Sequence, residues 1–231
     1  MRIRLWFSRL IGRTALFLSL LGLSALASEA TGLWVGEVQI TQVSNQGILK
    51  PVVPPASWRI VLHVDATGNV SLLKDAIIAA RAGTDDFEPV VLTKPALLGA
   101  LSLQRTNNAV LGQRLSTVAY DFTDNDATPD DFALRLAGTL GQAETCAGTL
   151  TLDKNHPTNP FRHKFHPDHA EGLSITRSFH LTFTSAIFET AGVYHIKANY
   201  EETLQGLVTF ELKVSGEVTL TRVASTPSLN Q

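Results

Sequence analysis

Four of the seven histidines, His156, His163, His166 and His169, fall in one stretch of the chain, with Asp168 and Glu171 beside them. Imidazole and carboxylate are the groups that hold Zn²⁺, three or four to a site in a roughly tetrahedral array. The set that would bind such an ion is His163, His166, Asp168 and His169, either by itself or with the loop histidines combined with His63 and Asp65 from a strand. A zinc ion so held would activate water, a metal-dependent, hydrolase-like activity centred on the loop carrying residues 156–169. The spacing is not the His-Glu-x-x-His signature, which needs a helix to bring both rings to one face. Pro157, Pro160 and Pro167 argue against a helix here. The alternative is that these side chains satisfy the loop's own peptide groups, with Phe161 and Phe165 anchoring the loop on an apolar face and no cofactor expected.

Other groups carry weaker signals. Asp121, Asp124, Asp126, Asp130 and Asp131 could gather around Ca²⁺. The EF-hand pattern fails, because Pro129 stands where glycine is required, and a solvated acidic turn is the simpler reading. The single cysteine, Cys146, has no internal disulfide partner and reads as a small buried apolar residue. Glu201 and Glu202 are adjacent, so on a strand they point to opposite faces and cannot form a glycosidase pair. Glu202 shares a face with Tyr200, which predicts a buried hydrogen bond. His195 and Lys197 take the other face, exposed to solvent. The chain carries no Gly-x-Ser-x-Gly elbow, phosphate loop, dinucleotide fingerprint or Ser-x-x-Lys motif. No catalytic residue is assigned.

The elements that must position these groups read as strands. From Ile175, alternate residues are Ile175, Arg177, Phe179, Leu181 and Phe183 against Ser174, Thr176, Ser178, His180 and Thr182. Period-2 alternation places one set on a buried face and the other in water. The rhythm resumes through Tyr194, Ile196, Ala198 and Tyr200, then Val208, Phe210, Leu212, Val214, Val218 and Leu220. Earlier strands are expected at Trp34–Ile40 and in a hairpin over residues 58–79, with Gly36 marking a bulge or a close backbone approach. Further strands are expected at residues 89–93, 114–122, 132–136 and 145–152, and one helical turn within 95–104. Residues 44–57, with Pro51, Pro54 and Pro55, read as a loop, and the segment 74–81 as strand or short helix. Many short strands between turn signals indicate an all-β fold, an antiparallel β-sandwich or partly closed barrel with long loops and at most one or two short helices.

Composition sets the compartment. Arg2, Arg4, Arg9 and Arg13, an apolar run over 15–23, and Ala25-Leu26-Ala27 form a leader expected to be cut after Ala27. Its uncharged stretch is shorter than the roughly 20 residues a spanning helix needs, so no transmembrane span is expected after cleavage. Residues 28–223 are then a single β-rich domain and 224–231 a flexible tail. The leader holds four Arg and no acid, so Lys+Arg falls from 19 to 15 against 21 Asp+Glu, and net charge moves from −2 to −6. Nucleic acid and anionic lipid both need clustered Lys and Arg, and neither suits this balance.

Gly32-Leu33-Trp34-Val35-Gly36-Glu37-Val38, Leu62-His63-Val64-Asp65, Tyr120-Asp121-Phe122, Asn159-Pro160-Phe161-Arg162-His163, His166-Pro167-Asp168-His169, Gly206-Leu207 and Val214-Ser215-Gly216 together resemble an uncharacterised β-rich module of large exported bacterial proteins. The resemblance spans nearly all of the chain after the leader. It implies an exported β-rich unit and brings no activity with it. The expectation is an exported, non-enzymatic β-domain, periplasmic, cell-surface or secreted, in a structural, adhesive or recognition role toward a protein or surface partner. Zinc-dependent hydrolysis at the histidine loop is the alternative.

Overall fold

Alternation of apolar and polar side chains becomes an antiparallel all-β architecture in the computed structural model, which describes residues 29–83, 89–117, 133–154, 159, 161 and 172–231. In chain order the strands are β1 (Gly32–Asn45), β2 (Ile48–Val64), β3 (Val70–Leu73), β4 (Asp75–Ala80), β5 (Pro89–Leu92), β6 (Arg105–Thr106), β7 (Ala109–Val110), β8 (Gly112–Ser116), β9 (Ala133–Arg135), β10 (Ala137–Gly138), β11 (Thr145–Leu152), β12 (Ile175–Phe183), β13 (Phe188–Thr190), β14 (Val193–Gln205) and β15 (Leu212–Ala224). The main sheet runs β10-β11-β12-β14-β15-β1-β2-β3-β9, with β13 on β14, and a second sheet runs β5-β4-β8.

Among the described residues neither of these sheets closes into a continuous barrel. The two ends of the main sheet, β9 and β10, are nevertheless consecutive in the chain, separated by Leu136, whose N–H donates to Val70 O at 2.9 Å. One short segment therefore joins the first strand of the order to the last, and the sheet wraps a shared interior. Into that interior project Trp34, Val38, Ile60, Leu62, Leu134, Leu150, Phe179, Leu181, Phe183, Tyr200, Val218 and Leu220, all buried. On the outside of β1 and β2, Leu33 and Val61 pack against Leu73, Ala76, Val91 and Leu115, which joins the second sheet to the first as a sandwich. Among the described residues no helix is long and apolar enough to cross a membrane.

Several boundaries follow the alternation closely. The strand expected over 145–152 is β11, and the run from Ile175 is β12. Gly36 makes the close approach foreseen: a Cβ there would lie 2.6 Å from Thr219 O across the β1–β15 ladder. The turn expected within 95–104 is a 3-10 turn, Pro95–Gly99.

Other segments differ from expectation. Residues 44–57 are not an irregular loop; β1 and β2 continue through them as a hairpin arm, turned by Gln46 (φ 53) and Gly47 (φ 78). Positive φ at both central residues matches the right-handed twist of the strands. The prolines are tolerated because Pro54 and Pro55 lie in a bulge, where the register jumps from Ile40↔Ala56 to Gln42↔Pro51, and the Val53–Pro54 peptide is cis. Segment 74–81 is strand: after the turn at 65–69 the chain pairs as β3, then leaves the main sheet at Lys74 to become β4 of the second. Val208 and Phe210 alternate as a strand would, yet lie in the connection between β14 and β15, with Val208 exposed.

Residues 224–231, expected to fray, run along β5. Thr226 Oγ1 donates to Pro89 O at 2.9 Å, Asn230 N donates to Val91 O at 2.8 Å, and Leu229 packs on the inter-sheet core.

Candidate functional site

The proposed metal ligands His163, His166, Asp168 and His169, with His156 and Glu171, lie outside the described residues, as do the five clustered aspartates. The ends of the histidine loop are described. Asn159 is buried, and its Nδ2 donates to Asp153 O at 2.9 Å and Leu173 O at 2.7 Å, while its Oδ1 accepts from Phe161 N at 2.9 Å. Leu173 N donates to Phe161 O at 3.0 Å, and Phe161 packs against the main core. One amide thus ties the entry of the loop to its exit, with Phe161 held against the main core.

His63 and Asp65, the strand residues offered to the same ion, are committed elsewhere. His63 is 4% exposed between the sheets, with Nε2 3.0 Å from Thr226 O. Burial lowers its pKa below the usual histidine value, against the raising effects of the Thr226 carbonyl and Asp65. Asp65 turns into its own loop. Burial there would raise its pKa, but hydrogen bonds from Asn69 and Thr67, side chain and backbone, outweigh this and hold it at about 2. Among the described residues no three His, Cys, Asp or Glu side chains are grouped as metal ligands.

Cys146 is fully buried in the main core, and its Sγ donates to Thr139 O at 3.3 Å. Burial, with a contribution from the Glu144 charge, pushes the thiol up to about 12. Thiolate is the reactive form. A disulfide-exchange reagent at pH 8 is therefore expected to leave the native protein unlabelled and to titrate one thiol per chain in denaturant; rapid labelling without denaturant would place Cys146 at the surface.

Glu202 faces inward, as its alternation with Tyr200 requires, and accepts a hydrogen bond from Tyr200 OH at 2.8 Å. Its second partner is Arg177 from β12: Nε donates to Oε1 at 2.5 Å and Nη2 to Oε2 at 3.0 Å. The Tyr200 ring stacks on Phe179 at 6.4 Å and meets the Trp58 edge at 5.8 Å. The side chains of Arg177 and Glu202 are 12% and 1% exposed. This is a closed ion pair inside the sheet, suited to holding β12 on β14 rather than to meeting a substrate.

The accessible chemistry lies on the opposite face. A groove of about 610 Å³ crosses β1, β15 and β14 on their outer side. It is lined by Glu37, Gln39 and Thr41, by Glu217 and Thr219, and by Lys197 and Asn199, with Thr184 at one end, all exposed. Ladder register sets these groups in rows: Gln39, Glu217, Asn199 and Thr182 across four strands, and Glu37, Thr219 and Lys197 across three. Neighbouring strands lie about 4.8 Å apart, and same-face residues about 7 Å apart along a strand. The result is a two-dimensional array of amides, hydroxyls and carboxylates with one ammonium. No family model matches the chain, and neither does any curated protein.

Proposed function

We propose that the chain is an exported, non-catalytic recognition module that holds an uncharged polyhydroxyl chain, a glycan, on the outer face of β1, β15 and β14. The observation that carries this reading is the groove itself: its exposed amides, hydroxyls and carboxylates offer paired donors and acceptors in rows. Sugar diols are bound by such groups, because each hydroxyl both donates and accepts. Two carboxylates, Glu37 and Glu217, against one ammonium, Lys197, give the lining a net charge of −1, which disfavours a polyanion. Export to the periplasm, the cell surface or the medium follows from the leader over 1–27, and the role is adhesive or structural. A zinc-dependent activity would rest on His163, His166, Asp168 and His169, which lie outside the described residues.

The test is affinity electrophoresis of the chain lacking residues 1–27 through gels containing neutral glucans, xylan, or a polyuronate. Retardation by a neutral polysaccharide, reduced about tenfold or more in apparent affinity by Asn199→Ala with Gln39→Ala, is the expected result. Equal mobility in every gel, or retardation that the double variant leaves unchanged, would reject the groove as the site.

A further inference from the structure

The second sheet ends in an edge that a partner strand would fit. β5 pairs with β4 on one side through Ile77↔Leu92, Ile78↔Val91, Ala79↔Val90 and Ala80↔Pro89, and among the described residues no strand pairs with it on the other. In an antiparallel ladder, alternate residues turn their N–H and C=O groups to opposite sides. Residues 89, 91 and 93 turn theirs away from β4, and the chain's own last residues meet them there. Thr226 Oγ1 donates to Pro89 O at 2.9 Å, Asn230 N to Val91 O at 2.8 Å, and Thr93 N to Asn230 Oδ1 at 2.9 Å. Asn230 Nδ2 also donates to Thr93 Oγ1 at 2.9 Å.

The contact is a strap rather than a strand. In two of its bonds a strap side chain meets a β5 backbone group, Asn230 sits at φ 62, and a cleft of about 270 Å³ remains between residues 89–91 and 225–228. Backbone groups of an unpaired edge strand are a template for another chain, and folds commonly cover them. The edge beneath this strap is also self-complementary. Laid antiparallel on a second copy with Val91 opposite Val91, it would exchange Val91 N–H to Val91 O in both directions and Thr93 N–H to Pro89 O in both directions. Only Thr93 O would lack a donor on this stretch, since proline has no N–H.

We propose that residues 225–231 are a displaceable strap, and that the β5 edge beneath it is a pairing surface for a second copy of the chain. The strap and the second copy compete for Pro89 O, Val91 O and Thr93 N, so weakening one strengthens the other.

Sedimentation of the chain lacking residues 1–27 tests this with Thr226→Val/Asn230→Ala, which removes the side-chain anchors on Pro89 and Thr93, keeps Leu229 packed, and leaves in place the backbone bond from Asn230 N–H to Val91 O and the contact of Thr226 O with His63 Nε2. Self-association is expected to tighten about tenfold or more relative to the unaltered chain. Adding Val91→Pro is expected to reverse it, because the Val91 N–H lies on the edge side and its loss leaves the β4 ladder intact. Unchanged sedimentation of the strap variant would overturn the proposal, and so would association that survives Val91→Pro. Should the double variant fail to fold, Asn230→Ala alone carries the same readout.

Discussion

Glu202→Ala is expected to lower stability by about 3–5 kcal/mol, read as the midpoint and slope of urea unfolding. Glu202 binds Arg177 through both oxygens and Tyr200 OH through one of them, with its side chain 1% exposed. Removing the carboxylate takes the counter-charge from a guanidinium held inside the sheet, and the cost is chiefly that of a buried charge losing its partner. Arg177→Met/Glu202→Leu is expected to recover most of the loss, since packed apolar groups replace both charges together. The contrast is Arg114 with Asp75, 2.9 Å apart but with the arginine 62% exposed; solvent screens that pair, and disrupting it is expected to leave the urea midpoint nearly unchanged. If Glu202→Ala proved as mild, the interior position of the pair would be refuted. The effect should also reach the groove, because β14 carries Lys197 and Asn199 on the face opposite Glu202.

The legible parts of the fold were those in which one strand carries its own signal. β11 and β12 alternate cleanly because one face is interior and the other wet, so local pattern and tertiary burial agree. The hairpin arm escaped because Pro51, Pro54 and Pro55 read as breakers, while a bulge opposite Thr41 and an edge position make them harmless. Val208 and Phe210 failed in the other direction: they alternate, but among the described residues no neighbouring strand accepts them. Pairing is a non-local event, and a segment's pattern does not report it.

The same limit governs the site. Gln39, Lys197, Asn199 and Glu217 each look like an ordinary wet residue of its strand. They become a surface only because β15 lies between β1 and β14, which pairs the first strand of the fold with the last. The Arg177–Glu202 pair had a faint signal: one arginine on an otherwise apolar face of one strand, one glutamate on such a face of another. Two lone opposite charges on buried faces usually meet, and register later places them on paired strands.

Trp34 gives the second large effect. Its side chain is fully buried on β1, the strand that pairs with both β2 and β15. Nε1 donates to Ala30 O at 2.7 Å, and the Arg222 guanidinium lies 6.0 Å from the ring centroid. Arg222 also donates to Glu29 O at 2.8 Å, so the indole and the guanidinium together fasten the residues that enter β1. Trp34→Ala is expected to cost about 3–5 kcal/mol, from lost transfer energy plus the cavity that remains. Trp34→Phe retains an aromatic ring but loses the donor to Ala30, and a cost of about 1–3 kcal/mol is expected. Urea unfolding of the two variants separates packing from hydrogen bonding, because Trp34→Ala removes both and Trp34→Phe chiefly the second. A loss below about 1 kcal/mol for Trp34→Ala would mean that the ring does not fill the interior, and the wrapped sheet built around it would have to be redrawn.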